Sequence, residues 1–284
     1  MTYEEIRLGY RKHAILAQFF RWFQIYENPE VPVENALDIL DADVALKSGL
    51  REGKGHDAYR QRVSNLPKTW KNAHFPRNVM VISRDDGRAA LAADITYVNV
   101  GMKPGIVRTA ELSYTMVLKN SIGVLPKITK VEISQSSEGT TEAFADAYMT
   151  NRALSLVHYW LTLIEDPASR IEPFREIMLP GLSLNFSNGE VTYATAFDNW
   201  FRRFSTAFSA GTHEVQNFKC TAISPNEFEM TALFDWAGIV HNGTEMANKT
   251  KQRWVITDDP TQRFARIASI DVEVVVPLER RMAS

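Results

Sequence analysis

Histidine is the side chain whose ordinary pKa lies nearest neutrality, and this chain has six. A neutral imidazole can take a proton from a carbon next to a carbonyl, so each is a candidate for acid–base chemistry. Two of them open similar segments, His74 in "NAHFPRN" and His213 in "GTHEVQN", both His-x-x-x-Asn. The same pattern also suits a histidine that ties a strand edge to a neighbouring turn, and both readings stand. His13, His158 and His241 show no metal-ligand spacing with one another or with carboxylates, which argues against zinc. "GLREGKG" (Gly49 to Gly55) has the glycines of a phosphate loop, but only three residues separate the first two and no Ser or Thr follows Lys54. It reads as a turn into a helix, with His56 as a solvated cap or a pocket edge.

Composition narrows the partners. With 32 basic and 34 acidic side chains the formal charge is -2, and no cluster of Lys and Arg forms a phosphate-tracking stripe, so nucleic acid is not expected. The first residues, "MTYEEIRLGYRKH", are charged throughout, and apolar runs such as "VEVVVPL" are too short to span a bilayer. No membrane association and a cytoplasmic location are expected. The one cysteine, Cys220, rules out an intrachain disulfide and fits a reducing compartment. At 284 residues and 45% hydrophobic, the chain is long enough for two cores.

The elements that must position these side chains come in two sets. "WFQIYENP" (Trp22 to Pro29) answers "WLTLIEDP" (Trp160 to Pro167) at an offset of 138, as do Leu46 and Leu184, and Ala58-Tyr59 and Ala196-Phe197. The two His-x-x-x-Asn segments, and Ile128 and Val131 against Ile267 and Ile270, follow at 139. A nearly constant offset over more than a hundred residues indicates a tandem duplication, with copies at 1–138 and 139–284. In each copy the pattern predicts a long helix, two shorter helices flanking a brief strand, then four strands. In the first copy Thr2 and Glu5 can form a capping box, and Leu16, Phe19, Phe20 and Phe23 share one helical face. The helix ends at Asn28-Pro29, and strands are expected near 73–83, 88–101, 107–119 and 127–134. In the second copy the long helix is expected from about Thr141, the third helix near 193–210, and strands near 213–223, 227–241, 249–257 and 263–276. Helices first and strands after is an α+β pattern, with helices on one face of a curved sheet.

That order of elements, with the aromatic-rich first helix and the His-x-x-x-Asn, resembles the nuclear transport factor 2-like superfamily, and within it the SnoaL-like branch. The resemblance covers residues 3–134 and 141–276. It implies two tandem cone-shaped domains, each a curved antiparallel sheet wrapped around a long N-terminal helix with two further helices and open at one end to an apolar pocket. It also implies pairing through the outer sheet faces, as an intrachain pseudo-dimer or a homodimer. Ketosteroid isomerases of the superfamily use a carboxylate on the first strand, where this chain has Leu46 or Lys47 and Leu184 or Asn185. Their donor aspartate falls near Ser113 and Arg253, so that chemistry is not expected. Similarity to the dehydratases instead implies a catalytic His, an acid on the next strand and a tyrosine on the first helix. Carried over, these are His74, Asp94 and Tyr26 in the first copy, and His213, Asp235 and Tyr159 in the second. Asp94 fits equally well as an outward residue of an alternating strand. Tyr26 aligns with Ile164 rather than with Tyr159.

Three functions follow from the resemblance. The first is a cofactor-independent dehydratase, isomerase or cyclase acting on a small hydrophobic carbonyl or hydroxy compound. The second is a non-catalytic module that binds a small hydrophobic molecule. The third is a structural subunit, like the small subunit of ring-hydroxylating dioxygenases. No cofactor or metal is implied by any of them.

Overall fold

A computed structural model describes residues 1–83, 87–121, 123–187, 191–193 and 196–281. The chain runs α1 (Tyr3–Glu27), α2 (Val33–Leu37), β1 (Leu40–Ser48), β2 (Arg51–Lys54), α3 (Gly55–Ser64), β3 (Lys71–Ser83), β4 (Arg88–Val100), β5 (Val107–Lys119) and β6 (Lys127–Thr141). The set then recurs: α4 (Tyr148–Glu165), α5 (Phe174–Ile177), β7 (Met178–Phe186), β8 (Val191–Tyr193), α6 (Phe197–Ala207), β9 (Ala210–Ser224), β10 (Glu227–Ile239), β11 (Glu245–Thr257) and β12 (Arg266–Arg280). Two six-stranded sheets result, ordered β2-β1-β6-β5-β4-β3 and β8-β7-β12-β11-β10-β9.

Contacts divide the chain into two compact units. One holds residues 14–155 with 260–263; the other holds 1–13, 156–259 and 264–284. The division therefore falls inside both long helices rather than at a point between the copies.

In the first sheet β3, β4, β5 and β6 form an antiparallel meander, because each pair is joined directly. β1 and β6 are parallel, which departs from the expected all-antiparallel sheet. These two strands are far apart in sequence, with α3 and the meander between them, so no tight turn forces them to be antiparallel. β2 is a further departure. The glycine segment read as a plain turn is a hairpin in which Ser48 pairs with Arg51, with Gly49 at φ 58 in its two-residue turn. β6 also runs past Ser134 to Thr141, since the first half of β5 needs a partner, and the next long helix starts at Tyr148 instead of Thr141.

The cores follow the sequence pattern. Leu16, Phe19, Phe20 and Phe23 of α1 are buried against Leu91 and Ile95 of β4, Met116 of β5 and Val131 of β6. On β4 burial alternates from Arg88 to Ile95, with Ala89, Leu91, Ala93 and Ile95 inward. The second sheet's unit buries Trp160, Phe174, Phe197 and Trp254 in mutual edge-on or tilted contact.

The asparagines of the two His-x-x-x-Asn segments have a backbone function. Among the described residues Asn78 and Asn217 are the non-glycine residues at positive φ, 49° and 52°. Each sits where its strand gains one residue on its partner, between Arg77 and Met80 on β3 and between Gln216 and Lys219 on β9. Asparagine tolerates the left-handed conformation that such a bulge demands, and the bulge bends the strand.

The α1 capping box forms as expected: the Glu5 amide donates to Thr2 Oγ1 at 3.3 Å, and the Thr2 amide donates to Glu5 Oε2 at 2.5 Å. Further along α1, a Cβ on Gly9 would lie 1.9 Å from Thr212 Oγ1 of β9. A helical Gly→Ala change usually stabilises by up to about 1 kcal/mol, whereas overpacking of this kind costs about 1–3 kcal/mol. Gly9→Ala should therefore lower the urea midpoint of the protein.

Candidate active site and its duplicate

The last residue of α1 is Glu27, and its carboxylate is fully buried. A carboxylate at a helix C-terminus faces the negative end of the helix dipole and, once buried, has no water to hydrate it. Burial pushes its pKa up, and hydrogen bonds from His74 and Asn151 act against that rise. Oε1 accepts the His74 backbone N–H at 2.8 Å and the His74 ring at Nδ1, 3.1 Å away. The Asn151 amide donates to both carboxylate oxygens, at 2.9 and 3.1 Å, and to the His74 carbonyl at 3.0 Å. With so many donors on the carboxylate, Nδ1 carries the ring proton, which leaves Nε2 with its lone pair free.

That ring lines an open cavity of about 360 Å³ with Tyr26, Arg62, Asn72, Tyr97, Arg108, Leu112, Tyr114 and Ile133. His74 is stacked on Phe23 at 4.9 Å and lies 5.2 Å from the Tyr97 ring and 6.1 Å from Tyr26. Tyr97 donates to Asn72 Oδ1 at 2.7 Å, and the Asn99 amide donates to the same oxygen at 2.8 Å. Arg108 is held by Glu138 in a two-pronged ion pair at 2.8 Å. Arg62 has no carboxylate partner among the described residues. The Tyr26 hydroxyl is buried and makes no hydrogen bond there. Burial raises the pKa of Tyr26 and of Tyr114, so both phenols stay protonated as donors.

The second copy builds the same core of the site. Glu165 ends α4 and accepts the His213 amide at 2.7 Å, His213 Nδ1 at 2.9 Å and the Thr212 hydroxyl at 3.0 Å. His13 occupies the place that Asn151 holds in the first unit. Its Nε2 donates to the His213 carbonyl at 3.0 Å and lies 3.5 Å from Glu165. Since a carbonyl only accepts, that Nε2 carries the proton, and His13 Nδ1 must accept from His158 Nδ1 at 2.9 Å. Burial lowers both histidines' pKa values, so they stay neutral. Sequence spacing gave no sign of this pair, which the fold assembles across 145 positions. Among the described residues no group of three His, Cys, Asp or Glu could hold a metal ion.

Of the six residues expected at the sites, His74 and Tyr26 share the first cavity and His213 lines the second. The two aspartates are a correction. His74 pairs with Tyr97 across the strands while Asp94 pairs with Arg77, and the alternation puts Asp94 on the opposite face, where Asn78 donates to it at 3.0 Å. Asp235, likewise beside Trp236, which pairs with His213, forms an ion pair with Lys249 at 2.9 Å. Tyr159 is also outside the cavity, stacked on Phe264 at 4.4 Å, while Ile164 takes the place that Tyr26 has in the first unit. The acids that do hold the histidines, Glu27 and Glu165, were passed over. Their signal was present in the repeated octets, where each glutamate precedes Asn-Pro or Asp-Pro at the same offset.

Burial raises Glu165 from 4.5 to about 7. Between those values the folded chain keeps a proton that the unfolded chain has released, so this stabilisation is complete below pH 4.5 and is lost as pH rises through 7. The unfolding free energy of the wild type, taken relative to Glu165→Gln in urea titrations, should fall from pH 4.5 to 7.5. A pH-independent difference would contradict the assignment.

No family model and no curated protein matches the sequence. Similar solved structures include a type 2 hexachlorocyclohexane dehydrochlorinase, LinA (12% identity, 47% of this chain and 90% of that one, TM-score 0.42). Another is a putative aromatic ring hydroxylase from Novosphingobium aromaticivorans (13%, 49% and 96%, TM-score 0.43). A third is a nuclear transport factor 2-like protein from Salmonella enterica (15%, 42% and 85%, TM-score 0.36). Each spans about half of this chain. By its element order and its two six-stranded sheets, the polypeptide carries one α+β fold twice, in an order that resembles the nuclear transport factor 2-like fold.

Proposed function

We propose that the first copy is a cofactor-independent lyase or isomerase, in which His74 removes a proton next to the carbonyl of a small, largely apolar hydroxy-carbonyl compound. One observation carries this reading: His74 has Nδ1 fixed by a buried glutamate and Nε2 open, on a cavity wall that also presents phenols and an arginine with no carboxylate partner among the described residues. In the step, the C–H bond breaks, the proton goes to Nε2 and the electron pair moves onto the carbonyl oxygen. Arg62 and the protonated phenols of Tyr26 and Tyr114 are the donors available to that oxygen, and with little water present such contacts strengthen. In a β-hydroxy substrate the enolate then re-forms the carbonyl, the C–O bond breaks, and the hydroxyl leaves as water with the proton from His74. In an isomerisation the proton returns to a different carbon. Either way the imidazole ends neutral.

Leu112 and Ile133 supply the apolar part of the wall, which favours a small hydrophobic substrate. Glu27 does not touch the substrate in this scheme. It is a positioning residue that fixes the tautomer and stabilises the imidazolium.

The test uses 3-hydroxycyclohexanone in D2O, followed by proton NMR for α-proton exchange and loss of water. The wild type should accelerate exchange, His74→Ala should lower the rate at least about a hundredfold, and Glu27→Gln should lower it and shift its pH profile. His213→Ala should stay within about twofold, because among the described residues no arginine or phenol lines the second cavity. Exchange that survives in a folded His74→Ala protein would refute the proposal.

A further inference from the structure

The duplication lets the two cavities be compared position by position. The glutamate and histidine persist, but what faces a ligand does not. Tyr26 is answered by Ile164, Arg62 by Trp200 and Ser48 by Phe186. One change is concerted. Tyr97 becomes Trp236, while Asn72 and Asn99, which surround the Tyr97 hydroxyl, become Gly211 and Gly238. A Cβ on Gly238 would lie 2.2 Å from the Trp236 ring, and one on Gly211 would lie 2.8 Å from its Nε1. The indole thus fills the room that both glycines leave, and a polar triad has been exchanged as a unit for a flat aromatic wall.

The resulting cavity, about 190 Å³, is bounded by Trp200, Trp236, Phe186 and Phe208 with Leu184 and Ile270. Its polar wall is mostly satisfied within the protein: Gln252 accepts from Trp254 Nε1 at 2.9 Å and donates to Thr250 at 3.1 Å. His213 and Asn248 are the exceptions: His213 Nδ1 is engaged by Glu165 and its other ring nitrogen remains for the cavity, as does the Asn248 amide. Among the described residues no charged side chain lines it, so a charged ligand would meet no opposite charge from them.

We infer that this second cavity is a binding site for a small, uncharged, flat aromatic molecule carrying one hydroxyl, which it holds without turnover. Aromatic faces meet the rings, the hydroxyl meets the His213 imidazole, and among the described residues no arginine or phenol lines the cavity to stabilise charge on a reacting oxygen. This site is independent of the chemistry assigned to the first cavity.

The probe is 2-naphthol, titrated by calorimetry into the full chain. One molecule should bind per chain, with NMR contacts from the probe to the Trp200 and Trp236 indoles and with the probe recovered unchanged. Trp200→Arg, which restores the first copy's residue, should weaken binding at least tenfold, whereas Arg62→Ala should leave it within twofold. Naphthalene-2-carboxylate should bind at least tenfold more weakly than 2-naphthol. Because Trp200→Arg could disturb folding, the indole contacts in the wild type provide a check that needs no variant. Absence of binding, binding lost in Arg62→Ala but kept in Trp200→Arg, equal affinity for the carboxylate, or conversion of the probe would each overturn the inference.

Discussion

A carboxylate buried at the exit of each long helix is the constraint around which both copies are organised. It stands at the wrong end of the helix dipole and out of reach of water, so it persists only because donors converge on it. The backbone amide and ring of one histidine supply two of them, which fixes the start of β3 or β9 against the end of α1 or α4. A further donor completes the set, Asn151 in one unit and Thr212 in the other. Loss of the carboxylate would leave a buried N–H and a ring nitrogen unpaired, each costing on the order of 1–3 kcal/mol.

This arrangement explains how the two copies can keep the same dyad and differ in what it serves. Holding helix to sheet is a structural task that both units need, and it leaves the far edge of the imidazole on a cavity wall as a by-product. Chemistry then depends on what faces that edge. In the first unit it meets phenols and Arg62; in the second it meets indoles and aliphatic side chains. The fold is shared and the function is written in the lining.

Much of this was legible in the chain. The constant offset exposed the duplication, helical and alternating periodicities located the long helices and the four-strand meanders, and the paired His-x-x-x-Asn singled out His74 and His213. The acids were misplaced because a dehydratase pattern was carried over by strand order, without the register that decides which face a residue takes. One position of parity separates Tyr97 in the cavity from the outer row that holds Asp94. The true partners sat inside the most evident repeat, read there only as a helix exit before proline.

Sequence alone determined the number of copies and the order of elements, because periodicity, proline and repetition are local properties of a chain. It also determined the asymmetry between Tyr26 and Ile164. Only the tertiary structure decided which acid holds which histidine, how His13 meets His158 across 145 positions, and that Trp236 needs two glycines on neighbouring strands to make room for it. These depend on strand register and on helix ends packed against distant strands, and such long-range pairings leave no period or spacing in the sequence to read.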